Sequence, residues 1–126
     1  MHHRFASLLL AAAVTATSAV AQDSSRWTPP DPATQALARS IFEQLIDINT
    51  TDSVGSVTAA SKAMQQRFLD AGFPASDIYL GGPNDRKENL VVRYHGTGAH
   101  PPVLIICHED VVETRRSDWT VDPFHF

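Results

Sequence analysis

The chain has 126 residues, with 10 Lys and Arg against 14 Asp and Glu, for a formal net charge of −4. That length holds one domain at most, and the acidic balance offers no basic footprint for a nucleic-acid partner. A single cysteine, Cys107, excludes an internal disulfide, and its place in an apolar run reads as a small buried hydrophobe rather than a reactive thiol.

Taken in order, Met1–Ala21 has the grammar of a targeting segment. His2, His3 and Arg4 make a short polar, basic start, Phe5–Val14 is apolar, and Ala19-Val20-Ala21 is a small-x-small cleavage site before Gln22. The apolar core falls well short of the ~20 residues that span a bilayer, so the expectation is a cleaved signal peptide, a secreted or periplasmic product and no stable membrane anchor. Residues 22–30 read as a polar, proline-ended linker, and the domain proper as residues 31–126.

Asp31-Pro32 starts the first helix. A carboxylate can cap the free N–H groups of the first turn, and proline suits the first helical position. Leu37, Ile41, Leu45 and Ile48 recur at helical spacing, which predicts a helix over 32–48 with one apolar face turned to a sheet. Asn49-Thr50-Thr51-Asp52-Ser53 ends it with side chains that compete for the backbone's hydrogen bonds. A second helix is predicted over Val57–Ala71, capped by Ser56 and stopped by Gly72, with Val57, Ala60, Met64 and Phe68 inward and Lys62, Gln66 and Asp70 outward. Met and Phe at that spacing read as core packing, not as a cofactor site.

Strands follow at Ile78–Leu80 and Asn89–Tyr94, separated by the turn Gly81-Gly82-Pro83-Asn84-Asp85. Gly81-Gly82 lacks the further glycines of a phosphate-cradling loop. His95 and His100 are surface histidines with no carboxylate at motif spacing, and His125 allows no reading. Val103-Leu104-Ile105-Ile106-Cys107 is a continuous apolar run, which predicts a strand buried on both faces of a sheet. Two helices followed by three strands read as the opening of an α/β layer with a partial mixed sheet.

His108 and Asp110 stand where that run stops. Ligands of open α/β sheets gather outside the carboxyl ends of strands, and side chains two apart on extended backbone point the same way. An imidazole that binds a metal through one nitrogen commonly donates its other N–H to a carboxylate. His108 is therefore the candidate metal ligand and Asp110 the residue that orients it. The pair alone fits equally a strand-end histidine satisfied by a neighbouring acid, as in a small secreted non-catalytic binding domain.

The longer pattern is more specific. His108-Glu109-Asp110-Val111-Val112, a short charged loop and then Asp118-Trp119-Thr120-Val121-Asp122-Pro123-Phe124 resemble the co-catalytic zinc metallopeptidase family of glutamate carboxypeptidases, aminoacylases, acetylornithine deacetylases and related dipeptidases. In that family an apolar strand ends in His-x-Asp-Val-Val and a Trp-x-x-Asp-Pro-Phe segment follows. The resemblance spans Pro32–Phe126, weakly through the helices and strongly from Val103, and Glu113 stands where many members have proline. It implies that His108 is a zinc ligand, that Asp110 orients it, and that Asp118–Phe124 shapes the site without binding metal. It further implies a zinc-exopeptidase-like catalytic domain of which this chain is the truncated N-terminal part. The remaining ligands, the general-base glutamate and a dimerisation domain would then lie beyond Phe126, and the full-length protein would be a homodimer. Two Zn ions, or Co or Mn in their place, would activate water to attack a peptide or an N-acyl amino acid substrate. An exported peptidase and an acyl-amino-acid deacylase both fit, and the 126 residues alone are expected to be inactive.

Overall fold

The computed structural model of the chain describes residues 28–126. The signal peptide read over Met1–Ala21 and the linker up to Trp27 lie outside the described residues. No described helix is long and apolar enough to cross a membrane.

Helix α1 runs Pro32–Ile46, two residues shorter at its end than its apolar periodicity suggests. Asp31 caps it: Oδ1 accepts from the Ala33 and Thr34 amides, and Oδ2 accepts from the Thr34 hydroxyl at 2.6 Å. The Thr34 hydroxyl, then its amide, hold the Asp31 carboxyl below the ordinary carboxylate range. Asp47 closes the helix, and Asn49 Oδ1 then accepts from the amide and hydroxyl of Thr51, diverting the backbone into a turn. No α1 side chain is buried, and Leu37 and Phe42 are exposed.

Helix α2 spans Val57–Asp70 behind a Ser56 cap, and the chain leaves it through Gly72 at φ +86°, a left-handed conformation that glycine adopts without steric cost. Ala60 and Ser61 are fully buried, while Lys62, Gln66 and Asp70 face water. After a 3-10 turn at Ala75–Asp77 come strand β1, Ile78–Gly81, and strand β2, Asn89–Val92. They pair antiparallel with Ile78 opposite Val92 and Leu80 opposite Leu90. Directly opposed residues share a face. Those four are therefore on one side, where they are half-buried, and Tyr79 and Val91 are on the other, exposed. Helix α2 packs on this hairpin. Phe73 extends the contact, edge-on to Phe68 at 5.1 Å and tilted against Tyr94 at 5.8 Å.

The hairpin is also clipped to the α1–α2 loop. Arg86 donates to the Gly55 carbonyl through Nε at 3.0 Å and Nη2 at 2.6 Å, and to the Asp52 carbonyl at 3.1 Å. Lys87 pairs with Asp52, whose carboxyl it holds below the usual range by hydrogen bonding and by charge. Helix α1 joins α2 through Arg67, which bonds Gln44 Oε1, the Ser40 carbonyl and the Ser40 hydroxyl.

Three expectations from the sequence need correction here. The run Val103–Cys107 is not a strand: it makes no ladder with another described residue, and Val103, Leu104, Ile105 and Ile106 are each at least 80% exposed. Cys107 is exposed as well. Apolar β-branched residues favour a strand only where a neighbouring edge supplies hydrogen bonds and a second layer covers the side chains, and the described residues supply neither. The sheet is accordingly a two-stranded antiparallel hairpin, not a mixed sheet, and the architecture is a small α/β arrangement of two helices with one hairpin.

Candidate functional site

The segment His108–Asp110 is irregular in hydrogen bonding, yet it is anchored to the rest of the molecule. Thr50, nearly buried at the end of the α1 turn, donates its hydroxyl to the Glu109 carbonyl at 2.8 Å. The Glu109 side chain reaches α2, where Oε2 accepts from the buried Ser61 hydroxyl at 2.5 Å. A few residues on, Glu113 Oε1 accepts from the Ser53 amide at 2.8 Å. Glu113 is thus a clip to the same loop that holds Thr50.

With Glu109 turned to α2, the side chains of His108 and Asp110 are exposed, 86% and 66%. His108 Nδ1 lies 3.0 Å from the Asp110 carbonyl oxygen and 3.3 Å from Asp110 Oδ1. Both neighbours of Nδ1 are acceptors, so the hydrogen of a neutral ring belongs on Nδ1, and Nε2 carries the lone pair. The nearer partner is the carbonyl, which the identity of residue 110 does not determine. The carboxylate is an additional acceptor just beyond it.

Two depressions flank this imidazole. One, of about 430 Å³, is walled by Val57, Met64 and Phe68 of α2 and by Leu90 and Val92 of β2, and also touches His108 and Asp110. The other, of about 470 Å³ and mostly apolar, is walled by Phe42 and Leu45 of α1 and by Trp119, Pro123 and Phe124, and again includes His108 and Asp110. The segment Asp118–Phe124 therefore borders the same space as the histidine. It is held by a 3-10 turn at Arg116–Asp118, by Arg116 donating to the Trp119 carbonyl at 2.6 Å, and by Asp122 accepting from the Phe124 amide at 2.9 Å.

A zinc centre draws on about three protein ligands, with an open position for water where it is catalytic. Among the described residues no three His, Cys, Asp or Glu side chains converge. The donor set fits one ligand: a neutral imidazole whose second nitrogen is already committed to acceptors. Other ligands would have to come from outside the described residues.

Among the remaining histidines, His95 is a surface residue as expected, and its carboxylate partner, Asp77 Oδ1 at 2.9 Å from Nε2, comes from 18 residues away because the start of the hairpin and its exit lie side by side. His125 Nδ1 is 3.5 Å from Asp47 Oδ1, and the Phe126 amide donates to the same oxygen at 2.9 Å. Thr50, Ser61, Glu109 and Glu113 were not legible as site residues. One signal was present: Ser61 interrupts the inward stripe of α2 with a hydroxyl, and a buried hydroxyl needs a partner.

Compared with family models, with characterised protein sequences and with solved structures, the chain has no match in any of the three.

Proposed function

We infer that the chain is the N-terminal part of an exported zinc-dependent hydrolase that cleaves peptide or acyl-amide bonds of amino-acid derivatives. The observation that carries this reading is the state of His108: Nδ1 is hydrogen-bonded to the Asp110 carbonyl, with the Asp110 carboxylate 3.3 Å away, while the ring remains exposed beside two depressions. That is the arrangement a metal-binding imidazole requires, since hydrogen bonding at one nitrogen fixes the tautomer and raises the basicity of the other.

In this reading His108 Nε2 donates to the metal, and Asp110 holds the ring in orientation without binding the ion. A bound zinc ion would supply Lewis acidity for hydrolysis. Trp119, Pro123 and Phe124 form an apolar wall beside the histidine, suited to the hydrocarbon part of an amino-acid derivative. The exposed run Val103–Ile106 supports the view that further chain completes the layer, because four consecutive exposed apolar residues are costly in water.

The test is elemental analysis of the full natural chain together with His108→Ala. Two zinc ions per chain are expected in the parent and one fewer in the variant; full occupancy in the variant overturns the assignment. Turnover of dipeptides against N-acyl amino acids then separates a peptidase from a deacylase. A second reading, a secreted non-catalytic binding domain, is favoured by the lack of three converging ligands among the described residues. It predicts a natural chain that stays metal-free and hydrolyses neither substrate.

A further inference from the structure

We propose that Glu109, gripped by Ser61 and Thr50, is a positioning latch that sets where the His108 imidazole stands. The functional consequence rests on the metal-hydrolase reading, but the geometry does not. Glu109 is the one side chain of the His108–Asp110 segment that turns inward, and it meets the fully buried Ser61 at 2.5 Å. The Ser61 hydroxyl also lies 3.2 Å from the Glu88 carbonyl, and the Glu88 amide donates to Thr58 Oγ1 at 2.9 Å. The carboxylate is thereby held by α2 at a buried point, and Thr58 on the same helix holds the edge of β2 beside it. From a different direction Thr50 holds the Glu109 carbonyl at 2.8 Å.

The latch works by removing conformational freedom. Val103–Ile106 has no ladder with described residues and is exposed, so no described strand on that side restrains the ligand segment. Two hydrogen bonds on the residue between His108 and Asp110 do restrain it, one through the side chain and one through the backbone. A ligand already held in place loses less conformational entropy when it binds, and supports of this kind characteristically change metal affinity by ~10–100-fold. Glu109 and Ser61 touch neither metal nor substrate in this account. They act through His108.

The test uses the full natural chain and zinc itself, with affinity measured by competition against a chromophoric chelator and deuterium uptake followed on the peptide 104–112. Glu109→Ala and Ser61→Ala are each expected to weaken zinc binding ~10-fold, at the low end for such supports. The double variant should be no weaker than either, because both remove the same contact. Glu109→Gln, whose amide oxygen still accepts from Ser61, should restore affinity to about that of the parent. Uptake by 104–112 should rise in the alanine variants while the α2 peptides stay unchanged. Parental affinity in Glu109→Ala, additive losses in the double variant, or a glutamine variant as weak as alanine overturns the latch. If the parent takes up no zinc, the hydrolase reading fails and the latch is judged on deuterium uptake alone: a rise confined to 104–112 sustains it and no rise removes it.

Discussion

Helix α2 with its hairpin and the run Val103–Ile106 invert the usual relation between apolarity and burial. In the first region the innermost side chains are Ala60 and small hydroxyls, Ser61 and Thr58, each hydroxyl matched to a backbone or carboxylate acceptor or to an amide donor. In the second, the most hydrophobic stretch of the described chain lies in water. Burial is a property of what stands opposite a residue, not of the residue. A hydroxyl with partners can be buried at little cost, whereas an isoleucine with no opposing layer cannot be buried at all.

Substitutions in the two regions should therefore differ, and the sharpest is at Gly55, in the loop that clips the first region through Arg86. A Cβ there would overlap the Thr51 amide nitrogen and come within 2.6 Å of the Asn49 carbonyl oxygen, backbone atoms that cannot swing aside. Gly55→Ala is expected to cost about 3 kcal/mol, as overpacking does at its upper range, read as a lowered urea midpoint. A parental midpoint would mean that the α1–α2 loop is not as tight as described. Arg86→Ala comes next, at about 2 kcal/mol, because a charged donor leaves the Gly55 carbonyl unsatisfied. A loss below about 0.5 kcal/mol, the level of an ordinary surface change, would show that water replaces the guanidinium freely.

A smaller effect is expected at the start of α1. The Asp31 carboxyl is depressed below its ordinary 3.8 by the Thr34 hydroxyl and amide. Its contribution is complete above that value and is lost as pH falls through the lower folded-state value. Helical ellipticity should drop on acidification below about pH 4 in the parent and less in Asp31→Asn, which caps without titrating. Identical acid profiles would remove the cap from the account. The smallest effect belongs to the second region: Ile105→Lys in the 126-residue chain should shift the urea midpoint by no more than about 0.5 kcal/mol. A large loss there would mean the run is covered, and the contrast between the two regions would disappear.

Local chemistry was legible in the sequence. Asp31-Pro32, Ser56 and Gly72 mark helix ends through side-chain acceptors, ring geometry and a left-handed residue, and the structure has them in those roles. The strands expected at Ile78–Leu80 and Asn89–Tyr94 around the Gly81-Gly82-Pro83-Asn84-Asp85 turn are found at Ile78–Gly81 and Asn89–Val92, one residue longer and two shorter at their ends. The continuous apolar run Val103–Cys107 predicts a strand that is not there, because apolar composition reports what a segment prefers and says nothing about whether an edge is there to receive it. At the candidate site, the two-residue spacing predicts that the Asp110 side chain reaches His108; it lies 3.3 Å away, and the nearer contact is to the Asp110 carbonyl. The Ser61–Glu109 and Thr50–Glu109 contacts were not legible, since they join residues 48 and 59 apart in the chain.

Arg67 carries one more consequence. Helix α1 buries none of its side chains, and its described polar fastening to α2 is this guanidinium on Gln44 and Ser40. Phe126 adds an edge-on contact to Phe42 at 5.6 Å and lies under Arg39 at 4.6 Å. A helix attached in this way peels before the hairpin melts, so partial loosening begins at the amino-terminal side of the domain. Proteases would find their first cuts there, while the residues around Ser61 stayed intact.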